Sequence, residues 1–253
     1  MEKSISFIGA GRITNIILQA FENRNISLSN LFVFDTNTSV SEKLKLKFPE
    51  IQVADLKTVS EKEIVFVALH PPVILETLSG IKDFASPDSV FISLAPKITI
   101  EKISLALSNK NIVRLIPNAT SVVNEGYNPV CFAGECKDKS DIFSLLSVLG
   151  TTFETEEPKL EAYAVSSAML STYFWFQWFE LVEIAQQMGL TETESRDAIE
   201  QTLVAAIHTA FKSGMSPDEV TDLIPVKPIG ENEMQIKGIL QTKLMGLFDR
   251  IKP

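Results

Sequence analysis

The sequence predicts an α/β fold in residues 1–157, built on a parallel sheet, followed by an all-helical domain over residues 158–253. Three observations carry this. A Gly-x-Gly turn, Gly9-Ala10-Gly11, follows an apolar run and opens straight into a helical pattern. That is the layout of a Rossmann strand-turn-helix. Up to about residue 155, short apolar runs alternate with helical periods, as β-α-β units do. After Pro158 the pattern is helical to the end.

Taken in order, the strand candidates are Ser4–Ile8, Leu31–Phe34, Gln52–Ala54, Ile64–Ala68, Val90–Ser93, Ile112–Ile116, Val130–Phe132 and Thr152–Glu154. In the first turn Gly9 permits the tight bend and Gly11 lets the backbone approach a pyrophosphate at a helix N-terminus. Thr14 stands where a third small residue usually packs helix on strand, so the motif is degenerate. Asp35 closes the second run, where a carboxylate accepts hydrogen bonds from adenosine ribose hydroxyls. The run Ile64-Val-Phe-Val-Ala-Leu does not alternate and reads as a strand buried on both faces. In the helical half, Gly189 ends one helix and Thr191 with Glu194 caps the next. Ser216, Pro217 and Glu219 start another.

A chain of 253 residues can bury one large or two modest cores. Its net charge of −9, with no run of Lys and Arg, argues against a nucleic-acid partner. Cys131 and Cys136 flank a Gly-containing turn without a second pair, which reads as reduced structural cysteines of a cytoplasmic protein. The two cysteines and two distant histidines make no four-ligand metal site. The N-terminus has no basic region leading into a long apolar core, so no signal peptide is expected.

Between Ala162 and Phe179 no residue is charged, and Tyr163, Met169, Tyr173, Phe174, Trp175, Phe176, Trp178 and Phe179 all fall there. Ser166, Ser167, Ser171, Thr172 and Gln177 interrupt the run and its flanks are acidic, which argues against a membrane span. One helix over Leu160–Gln187, buried at the centre of a homodimer or higher homo-oligomer, is the expected arrangement.

The order of motifs resembles the pyrroline-5-carboxylate reductase family over almost the full length. Phe7-Ile-Gly-Ala-Gly is similar to its opening strand and turn, and Val113-Arg-Leu-Ile-Pro-Asn with Glu125-Gly126 to its Val-Arg-x-Met-Pro-Asn and Glu-Gly segments. Ala68-Leu-His-Pro-Pro takes the place of its Val-Lys-Pro-Gln strand end, and Ser93-Leu-Ala precedes Lys97-Ile-Thr-Ile-Glu as in the family. The resemblance implies an N-terminal Rossmann domain, NAD or NADP as cofactor, a small-molecule substrate, and a dimer whose long helices interlock. It places Asn118 near the nicotinamide. Two segments depart from it. The glycine-rich Ser-Gly-Ser-Gly-Pro-Ala-Tyr stretch is replaced by Ser167-Ala-Met-Leu-Ser-Thr-Tyr173, and the Thr-Ser-Pro-Gly-Gly-Thr-Thr stretch by residues near Asp222-Leu-Ile-Pro-Val-Lys-Pro-Ile-Gly. A nest of backbone amides needs glycine, and Ile229 cannot supply its φ values.

The expected cofactor contacts are Gly9, Ala10, Gly11, Arg12 and Ile13 in the first turn, Asp35 and Thr36 after the second strand, Leu69, His70 and Pro71 after the fourth, and Ala95 and Asn118 after the next two. The candidate catalytic and substrate-orienting residues are Asn118, Ser167, Tyr173 and Lys227. His70 reads either as a proton or hydrogen-bond donor at a strand end or as a loop histidine capping a Pro-Pro turn. His208, among alanines in a helix, reads as structural. Lys97 and Lys227 can bind a substrate carboxylate or stand solvated. The aromatic run packs between subunits or lines an apolar pocket.

Two function classes follow: an NAD(P)-dependent reductase acting on a small imine or carbonyl compound, and a catalytically impaired dinucleotide-binding dimer with a structural or regulatory role. Thr36, Asn37 and Thr38 offer no cation for a 2′-phosphate, so Asp35 favours NADH, by about tenfold or roughly 1.4 kcal/mol.

Overall fold

The computed structural model describes residues 3–134 and 136–253. They form two compact units, one running to Met169 and taking back Leu247–Pro253, the other Leu170–Gly246. The first unit is built on eight strands: β1 (Ile5–Ile8), β2 (Leu31–Phe34), β3 (Gln52–Val53), β4 (Ile64–Val67), β5 (Val90–Ser93), β6 (Ile112–Leu115), β7 (Gly126–Phe132) and β8 (Gly150–Glu154). They lie in the order β3-β2-β1-β4-β5-β6-β7-β8. The order reverses between β1 and β4, and that switch point opens the crevice where ligands bind in such sheets.

Alternation along each strand divides the core between two faces. Phe7 and Phe66, on neighbouring strands, stack at 4.6 Å between ring centroids and join one apolar layer. Ile8, Val65 and Val67 point to the other. Six helices complete the layers: α1 (Arg12–Asn23), α2 (Thr38–Lys47), α3 (Leu56–Ser60), α4 (Pro71–Ile81), α5 (Ile100–Leu107) and α6 (Lys139–Ser147). Ile17, Leu18 and Phe21 of α1 and Ile142 and Leu146 of α6 pack on the first face. Ile74, Leu78 and Ile81 of α4 with Ile103 and Leu107 of α5 pack on the second. Each fully buried Leu, Ile or Phe contributes about 1.5–3 kcal/mol, so this double layer dominates the stability of the sheet.

The parallel sheet expected from the sequence is present, with one antiparallel pairing toward its edge. β7 runs antiparallel to β6, with Val113 opposite Phe132 and Leu115 opposite Val130. Beyond Leu115 the chain turns through a short 3-10 helix, Ala119–Val123, instead of a crossover helix, and so returns in the opposite direction. β7 also starts four residues before the apolar run that announced it. Gly126 is required there, because a side chain would overlap the Ser121 hydroxyl and crowd Leu149.

The expected single helix over Leu160–Gln187 is also corrected. It is divided into α7 (Leu160–Tyr163), a π-helical turn (Ala164–Ala168) and α8 (Leu170–Gln187). The remaining helices are α9 (Glu192–Lys212), α10 (Pro217–Asp222) and α11 (Glu233–Ile251). Both capping boxes form: Thr191 with Glu194 and Ser216 with Glu219. Gly189 takes the positive φ of a helix-ending residue, +103°. In the Leu170–Gly246 unit large apolar side chains face outward; Phe176 is 67% exposed and Phe211 83%. No helix of the described residues is long and apolar enough to cross a membrane.

Candidate active site

The crevice at the carboxyl edge of β1 is shaped by its two glycines in different ways. Gly9 has φ +105°, and a side chain there would overlap the carbonyl of Ala68. Its N–H donates to the carbonyl of Phe34, and the hydroxyl of Thr14 donates back to its own carbonyl at 2.6 Å. Thr14 is fully buried, so the third position of the motif is filled by a threonine that satisfies its own polarity. At Gly11, by contrast, an added Cβ meets nothing within 4 Å. Gly11 is the N-cap of α1 and offers no capping side chain, and no acid lies in the first turn. The leading amides of α1 therefore face open space with the positive end of the helix behind them, which fits a pyrophosphate.

Two cavities meet at Gly11 and Arg12. One, of about 480 Å³, is lined by Gly11, Arg12, Ile13, Ala68, Leu69, His70, Pro71, Leu94, Ala95 and Pro96. All but Pro96 and Leu94 carry forward from the sequence reading or its flanking strand end. The other, of about 470 Å³, lies between α1 and α2 and is lined by Arg12, Lys43 and Lys47 over an apolar floor that includes Ile16, Val40 and Leu44. Among the described residues none of these three cations is in an ion pair, although Lys47 donates to Asn15 at 2.8 Å. Sequence reasoning missed Lys43 and Lys47; their spacing of four, on one face of α2, was the available signal.

Asp35 is more constrained than its position at a strand end suggests. One carboxylate oxygen accepts from the N–H of Ala10 and the other from the N–H of Asn37, both at 2.8 Å. The side chain thus ties the glycine turn to the loop carrying Thr36, and each oxygen retains lone-pair capacity for a further donor. Asn37 in turn caps α2 by accepting from Ser39.

Asn118 lies at the end of β6 and is buried. Its carboxamide oxygen accepts from the N–H and hydroxyl of Thr120 at 3.1 and 3.0 Å. Its NH₂ group donates to the carbonyl and hydroxyl oxygens of Ser167, each at 3.3 Å. Asn118 and Ser167 are therefore brought together, Ser167 standing in the π-helical turn that interrupts the helix expected there. The hydroxyl of Ser167 also donates to the carbonyl of Tyr127 at 3.3 Å.

The strand that precedes Asn118 also carries a buried ion network. Arg114 of β6 is wholly buried; its Nη1 donates to Glu157 at 3.0 Å and its Nη2 to Glu161 at 2.5 Å. The same carboxylate oxygens accept from the N–H groups of Ile100 and Lys97, at 2.6 and 3.0 Å. The arginine was legible only as part of a family motif. A charged residue inside the apolar strand Ile-Val-Arg-Leu must find a buried anion, and that was the physical signal for it.

His70 is exposed at the N-cap of α4, and its side chain makes no capping bond. Tyr173 and Lys227 belong to the second unit: Tyr173 sits on α8, where burial pushes its phenol above the usual range, and Lys227 is exposed in the loop before Gly230. His208 is exposed on α9. Cys131 is buried and Cys136 half-buried; both are free, and burial lifts the Cys136 thiol to about 11.

The fold is shared with known proteins. Residues 4–97 match the family model described as NADP oxidoreductase, coenzyme F420-dependent. The pyrroline-5-carboxylate reductase of Haemophilus influenzae is 24% identical over 212 residues, covering 81% of this chain and 77% of the relative. Among solved structures, the pyrroline carboxylate reductase of Plasmodium falciparum with NADP bound has a TM-score of 0.77 at 20% identity, covering 99% of this chain and 95% of its own. The 1-pyrroline-5-carboxylate reductase of Streptococcus pyogenes has a TM-score of 0.79 at 15% identity, covering 98% and 97%. At these identities the two structures establish a shared fold. The resemblance to the pyrroline-5-carboxylate reductase family read from the sequence motifs is borne out over the 81% of the chain that the Haemophilus influenzae relative covers.

Proposed function

We propose that this chain is an NAD(P)H-dependent reductase acting on a small imine or carbonyl compound, related to the pyrroline-5-carboxylate reductases but with a remodelled substrate side. The observation that carries this reading is the open, uncapped N-terminus of α1 at Gly11, set at the switch point of the sheet beside a cavity that continues past Ala68 and Ala95. The bound cofactor supplies the hydride. The chain supplies position: the α1 amides and Arg12 hold phosphate, Asp35 orients the ribose end, and Ala95 with Leu69 walls the reacting end. Asn118 acts through Ser167, locking the π-helical turn against the end of β6. Tyr173 and Lys227 are proposed to orient substrate, and His70 to donate a hydrogen bond at the cavity rim. Oxidation of NADH and NADPH against a panel of cyclic imines and 2-keto acids tests the reading directly.

The cofactor preference reflects two opposed charges. Asp35 lies at the strand end nearest the ribose and disfavours a 2′-phosphate, while Arg12, Lys43 and Lys47 favour one from exposed, solvent-screened stems. NADH therefore binds better, by a smaller margin than Asp35 alone would give. Replacing Asp35→Asn is expected to move the ratio of the two dissociation constants toward NADPH by about tenfold, roughly 1.4 kcal/mol. Fluorescence titration giving an unchanged ratio would remove Asp35 from cofactor selection.

The helical unit supports a homodimer. Phe176 and Phe179 on α8, and Phe211 on α9, are more than half exposed, and α8 and α11 contain no buried residue. Apolar surface of this extent is covered by a second copy. Sedimentation at micromolar concentration is expected to give a dimer or larger species; a monomer contradicts it. The two free cysteines favour action in the reducing cytoplasm.

A further inference from the structure

We propose that Lys97 recognises the anionic end of the substrate, and that the buried pair Arg114–Glu161 is the device that holds it in place. This role presupposes the reductase reading and narrows its substrate to a small imine or carbonyl compound bearing a carboxylate.

Five non-glycine residues among those described have positive φ. Asn25, Ser108, Asn124 and Asp138 lie at helix ends, and they are short polar types that tolerate this region. Lys97, at φ +76°, is the exception. It has a long side chain and lies in the loop between β5 and α5. Glycine would take this conformation without strain, so a lysine here carries a cost in backbone energy. The loop is forced into shape from below. Glu161, 1% exposed, accepts the N–H of Lys97, and Arg114, 0% exposed, grips the same carboxylate oxygen. Glu157 fixes the far end of the loop at Ile100. Two ions have been taken out of water to hold one turn, an arrangement better suited to specifying a geometry than to adding stability.

What the turn presents is a cation. Ala95 and Pro96 line the cavity, and Lys97 is the next residue, exposed, with no ion pair or hydrogen bond on its ammonium among the described residues. In a chain of net charge −9 an anionic substrate needs a local cation to be retained. The glycine-rich segments that would otherwise cradle a carboxylate are absent from this sequence. Lys97 replaces that neutral cradle by a charged hydrogen-bond donor.

The test compares Lys97→Gly, Lys97→Gln and Lys97→Arg in the full chain, using pyrroline-5-carboxylate and its decarboxylated counterpart 1-pyrroline. Lys97→Gly and Lys97→Gln are expected to raise KM for the carboxylated imine about tenfold or more. Turnover at saturation, KM for 1-pyrroline and Kd for NADPH should each stay within about twofold, and Lys97→Arg should restore the carboxylate preference. Lys97→Gly should at the same time raise Tm by about 2–4 °C, because the strain is released. A structural role alone would not give higher stability with poorer carboxylate selection. An unchanged preference in the Gly and Gln variants overturns the assignment. If the wild type reduces neither imine, oxidation of NADH and NADPH against the 2-keto acids tests the reductase reading separately, and calorimetry with proline and pyrrolidine in the presence of NADP+ decides the role of Lys97. Proline binding that is lost in Lys97→Gly sustains it, and no selective binding of proline by the wild type overturns it.

Discussion

Replacing Gly9 by alanine is expected to abolish dinucleotide binding and to destabilise the fold by about 2–4 kcal/mol, the sum of a left-handed backbone penalty and a forced shift in a packed site. The φ of +105° and the 3.0 Å from an added Cβ to the carbonyl carbon of Ala68 leave no relaxed alternative, since the obstacle is backbone of the neighbouring strand end. Gly11→Ala is the informative partner. Its backbone φ is −74°, and nothing lies within 4 Å of the added methyl, so thermal stability should be unchanged. NAD(P)H affinity should nevertheless fall, because the methyl intrudes where the pyrophosphate approaches the amides of α1. Thermal melts and cofactor titrations of both variants separate the two roles. A Gly11→Ala protein that binds as tightly as wild type would displace the pyrophosphate from this turn.

The second large effect is expected at Arg114. Arg114→Met removes the guanidinium and leaves Glu161, 1% exposed, as a buried carboxylate without its counter-charge. Breaking one side of a buried pair costs about 3–5 kcal/mol, against the smaller cost of exchanging both members for apolar residues. Arg114→Met combined with Glu161→Met should therefore recover a good part of the stability lost in the single variant. Urea unfolding of the two proteins measures this difference. Equal losses in both would mean that packing of the side-chain stems, not charge, holds the site.

The parts of this architecture that follow from local pattern were legible in the chain. Ile64-Val-Phe-Val reads as a two-sided strand because no position needs to be polar, and β4 is buried at every residue. The boxes at Thr191 and Ser216 are set by side chains three residues apart, so they survive any tertiary context. Features set by long-range contact were not legible. The antiparallel return of β7 depends on the turn capped by Asn118 and on Gly126 fitting under Ser121. The π-helical turn at Ala164–Ala168 has no periodic signature, and it is fixed from outside by Asn118 reaching Ser167. The positive φ of Lys97 is imposed by Glu161, 64 residues further along the chain. At the candidate site the glycines and Asp35 could be named in advance. The engagement of Asp35 by Ala10 and Asn37, and the cations of α2, needed the fold.

A dinucleotide held at Gly11 is expected to reduce a small substrate. The most direct measurement follows deuterium from labelled NADH or NADPH into product, with cyclic imines and 2-keto acids offered to the purified wild-type chain. Turnover of at least one cyclic imine is expected, with one deuterium transferred per cofactor oxidised and loss of that transfer in Gly9→Ala. Tight dinucleotide binding with no transfer to any member of the panel would contradict it, and would make the chain a dinucleotide-binding dimer without reductase activity.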